Sequence, residues 1–179
     1  MNQKYVVFWN SDDHSKLLSW WSSLKKNPGW RAELRRAETP VDVLLCEGFK
    51  YLYSGMNGYW TNEKNLLGLA TVAGVIAHIE TDNGKSFAET CASGDEKPVV
   101  SELRFSQIQK SRTIDEIYIR MIRAIHMLNK TVSPISVADN ILHWIKEMVN
   151  GEIDSDPHSR ILVRWGLDYF QHLPKQTTK

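Results

Sequence analysis

Helix start and stop signals punctuate this chain from end to end, and no stretch of it alternates with the period of a strand. Thr39-Pro40-Val41-Asp42 sets a Thr cap, a Pro in the first turn and an acid behind it, a combination that satisfies and complements the free amides of a helix start. Thr113-Ile114-Asp115-Glu116 is a capping box, and Asp156-Pro157 repeats the order of cap then proline. Asn27-Pro28-Gly29, Asp82-Asn83-Gly84 and Asn150-Gly151 are stops. Between these marks the apolar residues recur at helical spacing. The pattern predicts helices over 12–26, 30–37, 39–53, 62–81 and 86–92, with a loop at 54–61. It continues with about two turns from Ser101, then 113–129, a linker at 130–134, a helix starting at Ser136-Val137-Ala138-Asp139, and a last one from Asp156-Pro157 to His172. The tail, 175–179, is expected to fray.

Short connections between so many helices predict an all-α protein of about eight or nine helices. Ser93-Gly94-Asp95-Glu96-Lys97-Pro98 is the best joint, dividing the chain into two packed helical-bundle lobes, 1–98 and 99–179. Residues 62–81 are apolar nearly all round through their middle, which places that helix at the centre of a bundle. Seven tryptophans predict a large aromatic core. Cys46 and Cys91 stand apart with no CxxC spacing, the usage of a cytosolic protein with reduced thiols. The run Tyr5-Val6-Val7-Phe8-Trp9 is too short for a signal sequence, and no apolar stretch reaches membrane-spanning length. The reading is a cytoplasmic protein with no membrane partner.

No catalytic constellation emerges. The histidines (His14, His78, His126, His143, His158 and His172) are scattered singly, and no zinc, calcium, phosphate-loop or nucleophile-elbow motif is present. His143 and Glu147 lie one turn apart, but with no third ligand nearby they read as an ordinary helix-surface pair. We expect no catalytic residue, no metal, no cofactor and no small-molecule substrate. Asp12-Asp13 and Asp154/Asp156 each precede a helix, where carboxylates complement the positive end of the dipole.

Charge is where the chain is informative. Net charge is only +1, yet the basic residues are segregated. Residues 16–36 carry six Lys/Arg against one acid, residues 37–103 four against ten, and residues 104–130 six against two. Such segregation lets one face attract phosphate while the whole stays near neutral. Arg31 and Arg35 sit one turn apart, with Arg36 beside them. Like charges at that spacing repel unless an anion lies between them, and phosphate is such an anion. Pairing with Glu33, Glu38 or acids elsewhere is the alternative. Arg120 and Arg123 face away from the stripe Ile114, Tyr118, Met121, Ile125 and Leu128, with Lys110 and Arg112 just before the helix. That is a plausible ridge for tracking a backbone, against a solvated face with a Glu116–Arg120 pair. Arg160 and Arg164 repeat the one-turn spacing, with Asp168 one turn further on to neutralise Arg164. No aromatics interleave with these cations; the aromatics fall on core faces, so binding is expected to be indifferent to base sequence.

Trp20/Trp21 are followed by the blocks Arg31-Ala32-Glu33-Leu34-Arg35-Arg36-Ala37, Leu69-Ala70-Thr71-Val72-Ala73, Ser101-Glu102-Leu103-Arg104-Phe105 and Trp165-Gly166-Leu167-Asp168-Tyr169-Phe170. These landmarks resemble the CasB family, the small subunit of the type I-E CRISPR surveillance complex (Cascade). They occur in family order across residues 17–170. The resemblance implies a two-lobed helical fold without enzymatic activity, in contact with other Cascade subunits and with an adjacent copy of itself. It also implies a basic face that supports the guide RNA–target DNA heteroduplex and steadies the displaced strand. The family's contacts carry over to Arg31, Arg35, Arg104, Arg112 and Arg120, which fall in or beside the matching blocks. The competing expectation is a helical protein–protein adaptor whose arginines meet acidic partners.

Overall fold

The computed structural model describes residues 4–175; the outermost residues of the expected frayed tail, 176–179, lie outside the described residues. Among the described residues it is all-α. Eleven α-helices are present: α1 (Ser11–Ser23), α2 (Pro28–Arg36), α3 (Pro40–Val43), α4 (Glu47–Gly55), α5 (Gly58–Thr61), α6 (Leu66–Ile76), α7 (Phe87–Ala92), α8 (Glu102–Gln109), α9 (Ile114–Met127), α10 (Pro134–Trp144) and α11 (Ile161–Gln171). The count exceeds the expected eight or nine because short turns stand as separate helices. The predicted helix over 39–53 is two pieces. Thr39 caps α3 with the expected box, but the chain then winds tightly through Leu44 and Leu45 and restarts at Glu47. There the Gly48 carbonyl accepts the Trp20 indole N–H at 2.8 Å. The expected loop at 54–61 holds the single turn α5, capped by Asn57.

Helix α6 is the axis. Every residue from Gly68 to Ile76 is buried, with α3, α9 and α10 packed around it and α2, α4 and α5 completing the shell. Gly74 permits the closest of these approaches: a Cβ there would stand 2.6 Å from the Tyr118 hydroxyl of α9 and 2.7 Å from Val43 of α3. Elements on both sides of residue 98 therefore share one core, and its buried apolar residues run without a break from Phe8 to Tyr169. Five of the seven tryptophans are buried in it, and four of those five bond their indole N–H inside the protein. That is how a bulky ring with one polar edge is accommodated in a core.

The Tyr5–Trp9 run is held by a buried carboxylate: Asp139 of α10 accepts the amides of Val6, Val7 and Phe8 at 2.9, 2.7 and 2.8 Å. The expected surface pair His143–Glu147 is instead buried, the two side chains being 2% and 4% exposed. Glu147 lies in a π-helical turn, Ile145–Val149, that extends α10. It accepts His143 Nε2 at 2.8 Å and the Ile161 amide at 3.1 Å, and so caps α11 from another element. Asp156 caps only a 3-10 turn, Pro157–Ser159, which is why α11 begins later than its proline signal.

Candidate nucleic-acid interface

The second basic cluster lies on a helical hairpin. Ser101 caps α8 and Thr113 caps α9, so the chain reverses through Lys110, Ser111 and Arg112. Core residues fix the rotation of both helices: Phe105 and Ile108 on α8, and Ile117, Tyr118, Met121, Ala124 and Ile125 on α9. The outward faces enclose a groove of about 770 Å³, to which Arg104, Arg120, Arg123 and His126 contribute polar groups. Ile108, Ile122 and Met127 form its floor, with no Trp, Tyr or Phe in the lining. Lys110 and Arg112 stand in the turn between the two helices, outside the groove's lining. The side chains of Arg104, Lys110, Arg112 and Arg123 are exposed and hold no hydrogen bond or ion pair among the described residues. Arg120 differs. One of its terminal nitrogens donates to the Gln107 carbonyl at 2.6 Å and to the Ser111 hydroxyl at 3.2 Å, with Glu116 at 3.6 Å. It clamps the hairpin.

The first cluster is engaged with the protein itself. The last carbonyls of a helix have no partners within it, and cations favour that end. Arg31 supplies both needs at the end of α6, donating to the carbonyls of Ala77 at 3.2 Å and Ile79 at 2.7 Å. Arg35 donates to the same Ala77 carbonyl at 2.9 Å and to Glu80 at 3.1 Å. The crowding that suggested an anion between them is relieved by these oxygens. Burial and the neighbouring Arg35 charge still hold the Arg31 pKa below its ordinary value. Arg36 is exposed, with its Nε on the Ala32 carbonyl. With Lys25, these three arginines line a shallow depression.

The two clusters meet through the segment after α6. Glu80 accepts Arg35 from one side and Lys130 from the other, the latter at 3.0 Å. Backbone bonds between Thr81 and residues 130–132 fix this crossing, so the expected linker at 130–134 is a structured junction. His78 stands at the same crossing, buried, with its Nδ1 3.0 Å from Nε2 of His126. Burial, His126 and the charges of Arg35, Lys130 and Arg31 push the His78 pKa down to about 4.

The third pair is apart from both. Arg160 donates to the Asp154 carbonyl at 2.9 Å. Arg164 lines a separate polar groove with Ser86, Asn140, His158 and Asp168. Asp168 is itself engaged by Ser86 at 2.5 Å and by His172 at 3.2 Å. The expectation that aromatics lie on core faces also needs correction, since Trp9, Tyr51, Tyr59 and Phe170 are 56–73% exposed; none of them lines the α8–α9 groove. Sequence reasoning did not single out His126, because a count of Lys, Arg, Asp and Glu passes over histidine. No group of three or more His, Cys, Asp and Glu side chains among the described residues is arranged to hold a metal, and no helix there is long and apolar enough to cross a membrane.

Fold and surface together define an all-helical protein that displays segregated positive charge. A model of the CRISPR-associated protein Cse2 family matches residues 30–170, and the chain belongs to that family. Cse2 is the CasB small subunit of type I-E Cascade, a structural component of CRISPR antiviral defence. The match takes in α8 and α9 whole. No curated protein and no solved structure matches the chain.

Proposed function

We propose that the chain holds nucleic-acid backbone within Cascade, without base preference and without catalysis, and that the α8–α9 hairpin is the contacting face. There it would support the guide RNA–target heteroduplex and steady the displaced strand, whose exchange is energetically near balance and so responds to modest protein contacts. One observation carries the reading: Arg104 and Arg123 line one groove, Lys110 and Arg112 stand in the turn between its two helices, and among the described residues none of these four side chains has a partner. Unpaired guanidinium groups are well suited to phosphate, and a lining without flat aromatic rings offers no platform for stacking bases. In this reading Arg31 and Arg35 hold the fold in place beneath the strand, and Arg120 both clamps the hairpin and lines the groove. Arg36 extends the basic surface, and Arg160 and Arg164 belong to a different face.

The test is polarisation binding of labelled single-stranded and duplex DNA of unrelated sequences, over a salt series, with the full chain and an Arg104→Glu/Arg123→Glu variant. The expected result is similar affinity for every sequence and a log–log salt slope of roughly −3, as for about four phosphate contacts. The variant should lose binding while its helical signal is unchanged. A folded wild type that binds nothing at low salt would overturn the direct role and assign these arginines to acidic protein partners.

A further inference from the structure

His126 occupies the α8–α9 groove beside Arg104, Arg120 and Arg123, with one of its ring nitrogens committed to a buried histidine. Its Nε2 faces Nδ1 of His78 at 3.0 Å, with ring centroids 5.1 Å apart. His78 is 7% exposed, and its other nitrogen has no hydrogen-bond partner among the described residues. When both rings are neutral, either can donate across this contact. When His126 is charged only one arrangement fits: its Nε2–H donates, His78 Nδ1 accepts, and the His78 proton sits on Nε2. Burial and the surrounding cations keep His78 neutral down to about pH 4, so it remains the acceptor across the range in which histidines change charge. The Nδ1 of His126, on an exposed ring, holds no hydrogen bond among the described residues.

The groups around the pair are unfavourable to a further positive charge in an empty groove. Arg104 stands on α8, Arg120 and Arg123 on α9, Arg31 and Arg35 on α2, and Lys130 on the turn after α9. Glu80 is the acid at this crossing, and its carboxylate is engaged by Arg35 and Lys130. A phosphate in the groove would reverse that balance. We propose that His126 is a phosphate-binding residue of the α8–α9 groove, held in its charged form by His78 as positioning residue, so that nucleic-acid binding takes up a proton. Reciprocity then requires bound backbone to favour the imidazolium and lower pH to favour binding. This inference rests on the backbone-holding reading of the same groove.

The experiment measures binding of a labelled oligothymidylate to the full chain at pH 8 and pH 6, at one ionic strength. Wild type should bind roughly tenfold tighter at pH 6, the increment of one charge-assisted contact. His126→Gln should lose the pH step, binding alike at the two values. His126→Arg should bind tightly at both values, and His78→Gln should shrink the step. Binding at pH 8 with an undiminished step in His126→Gln would overturn the role of His126 alone and leave the backbone reading standing. A folded wild type that binds at neither pH would overturn both.

Discussion

Two groups of arginines share the appearance of phosphate ligands and differ in what they touch. On α2, Arg31 and Arg35 give their N–H groups to Ala77, Ile79 and Glu80 at the end of α6. On the α8–α9 hairpin, Arg104 and Arg123 face an open groove and bond to nothing among the described residues. A one-turn repeat of arginines thus reports repulsion that must be relieved, but not by what. Where a buried helix ends nearby, its orphan carbonyls are the nearest relief. Where only solvent and a groove lie outside, a mobile anion is left to supply it.

The largest effects should separate these groups. Arg31→Ala/Arg35→Ala removes the guanidinium cap at the end of the central helix, leaving the Ala77 carbonyl without a side-chain donor and the Ile79 carbonyl with only the Trp21 indole. The expected cost is about 3 kcal/mol, or on the order of 5–10 °C in Tm, read by circular dichroism melting. Any weakening of DNA binding in that variant should follow the folded fraction. Arg104→Glu/Arg123→Glu should do the reverse, weakening DNA binding by roughly a hundredfold at low salt while Tm stays within about 2 °C. A stable Arg31/Arg35 variant that no longer binds would collapse the distinction.

Next in size is the acid limb of stability, which probes the junction between the groups. His78 is held to about 4 in the folded chain against an ordinary value of 6.5, so the unfolded chain binds its proton first. Its contribution is therefore complete above about pH 6.5 and is lost as pH falls toward 4, with a total on the order of 2–3 kcal/mol. Burial lowers the His143 pKa too, so it adds to the same limb. His78→Gln should flatten the His78 share in denaturant titrations between pH 6.5 and 4.5. An unchanged limb in that variant would show that His78 is not buried neutral.

What could be read in the sequence was local. Thr39, Ser86, Ser101 and Thr113 cap their helices as their neighbours require, and the all-apolar stretch became the central helix because only a core can hold it. The breaks were set from elsewhere. The end of α6 depends on Arg31 and Trp21, distant in sequence, and the first amide of α11 depends on Glu147 of the preceding element. The candidate interface followed the same rule. Segregated charge marked the α8–α9 region, but which arginines are occupied depended on carbonyls that helical spacing cannot locate. His126 gave no charge signal, and only its position beside His78 singles it out.

Arg120 tests the comparison at its finest grain, because it belongs to both groups at once. It lines the groove with Arg104 and Arg123, yet one terminal nitrogen is committed to Gln107 and Ser111 across the hairpin. A guanidinium has five N–H donors, so the clamp leaves others for a strand. Arg120→Ala should then cost about 1 kcal/mol of stability and also weaken DNA binding by roughly threefold. Arg120→Lys keeps the charge but cannot reproduce the fork. It should restore most of the binding and little of the stability, since phosphate attraction survives a point charge and the hairpin clamp depends on directed donors. If both properties return together in Arg120→Lys, charge alone is what Arg120 supplies and the clamp contributes nothing. If neither returns, Arg120 belongs with Arg31 and Arg35, and binding depends on it only through the geometry of the hairpin.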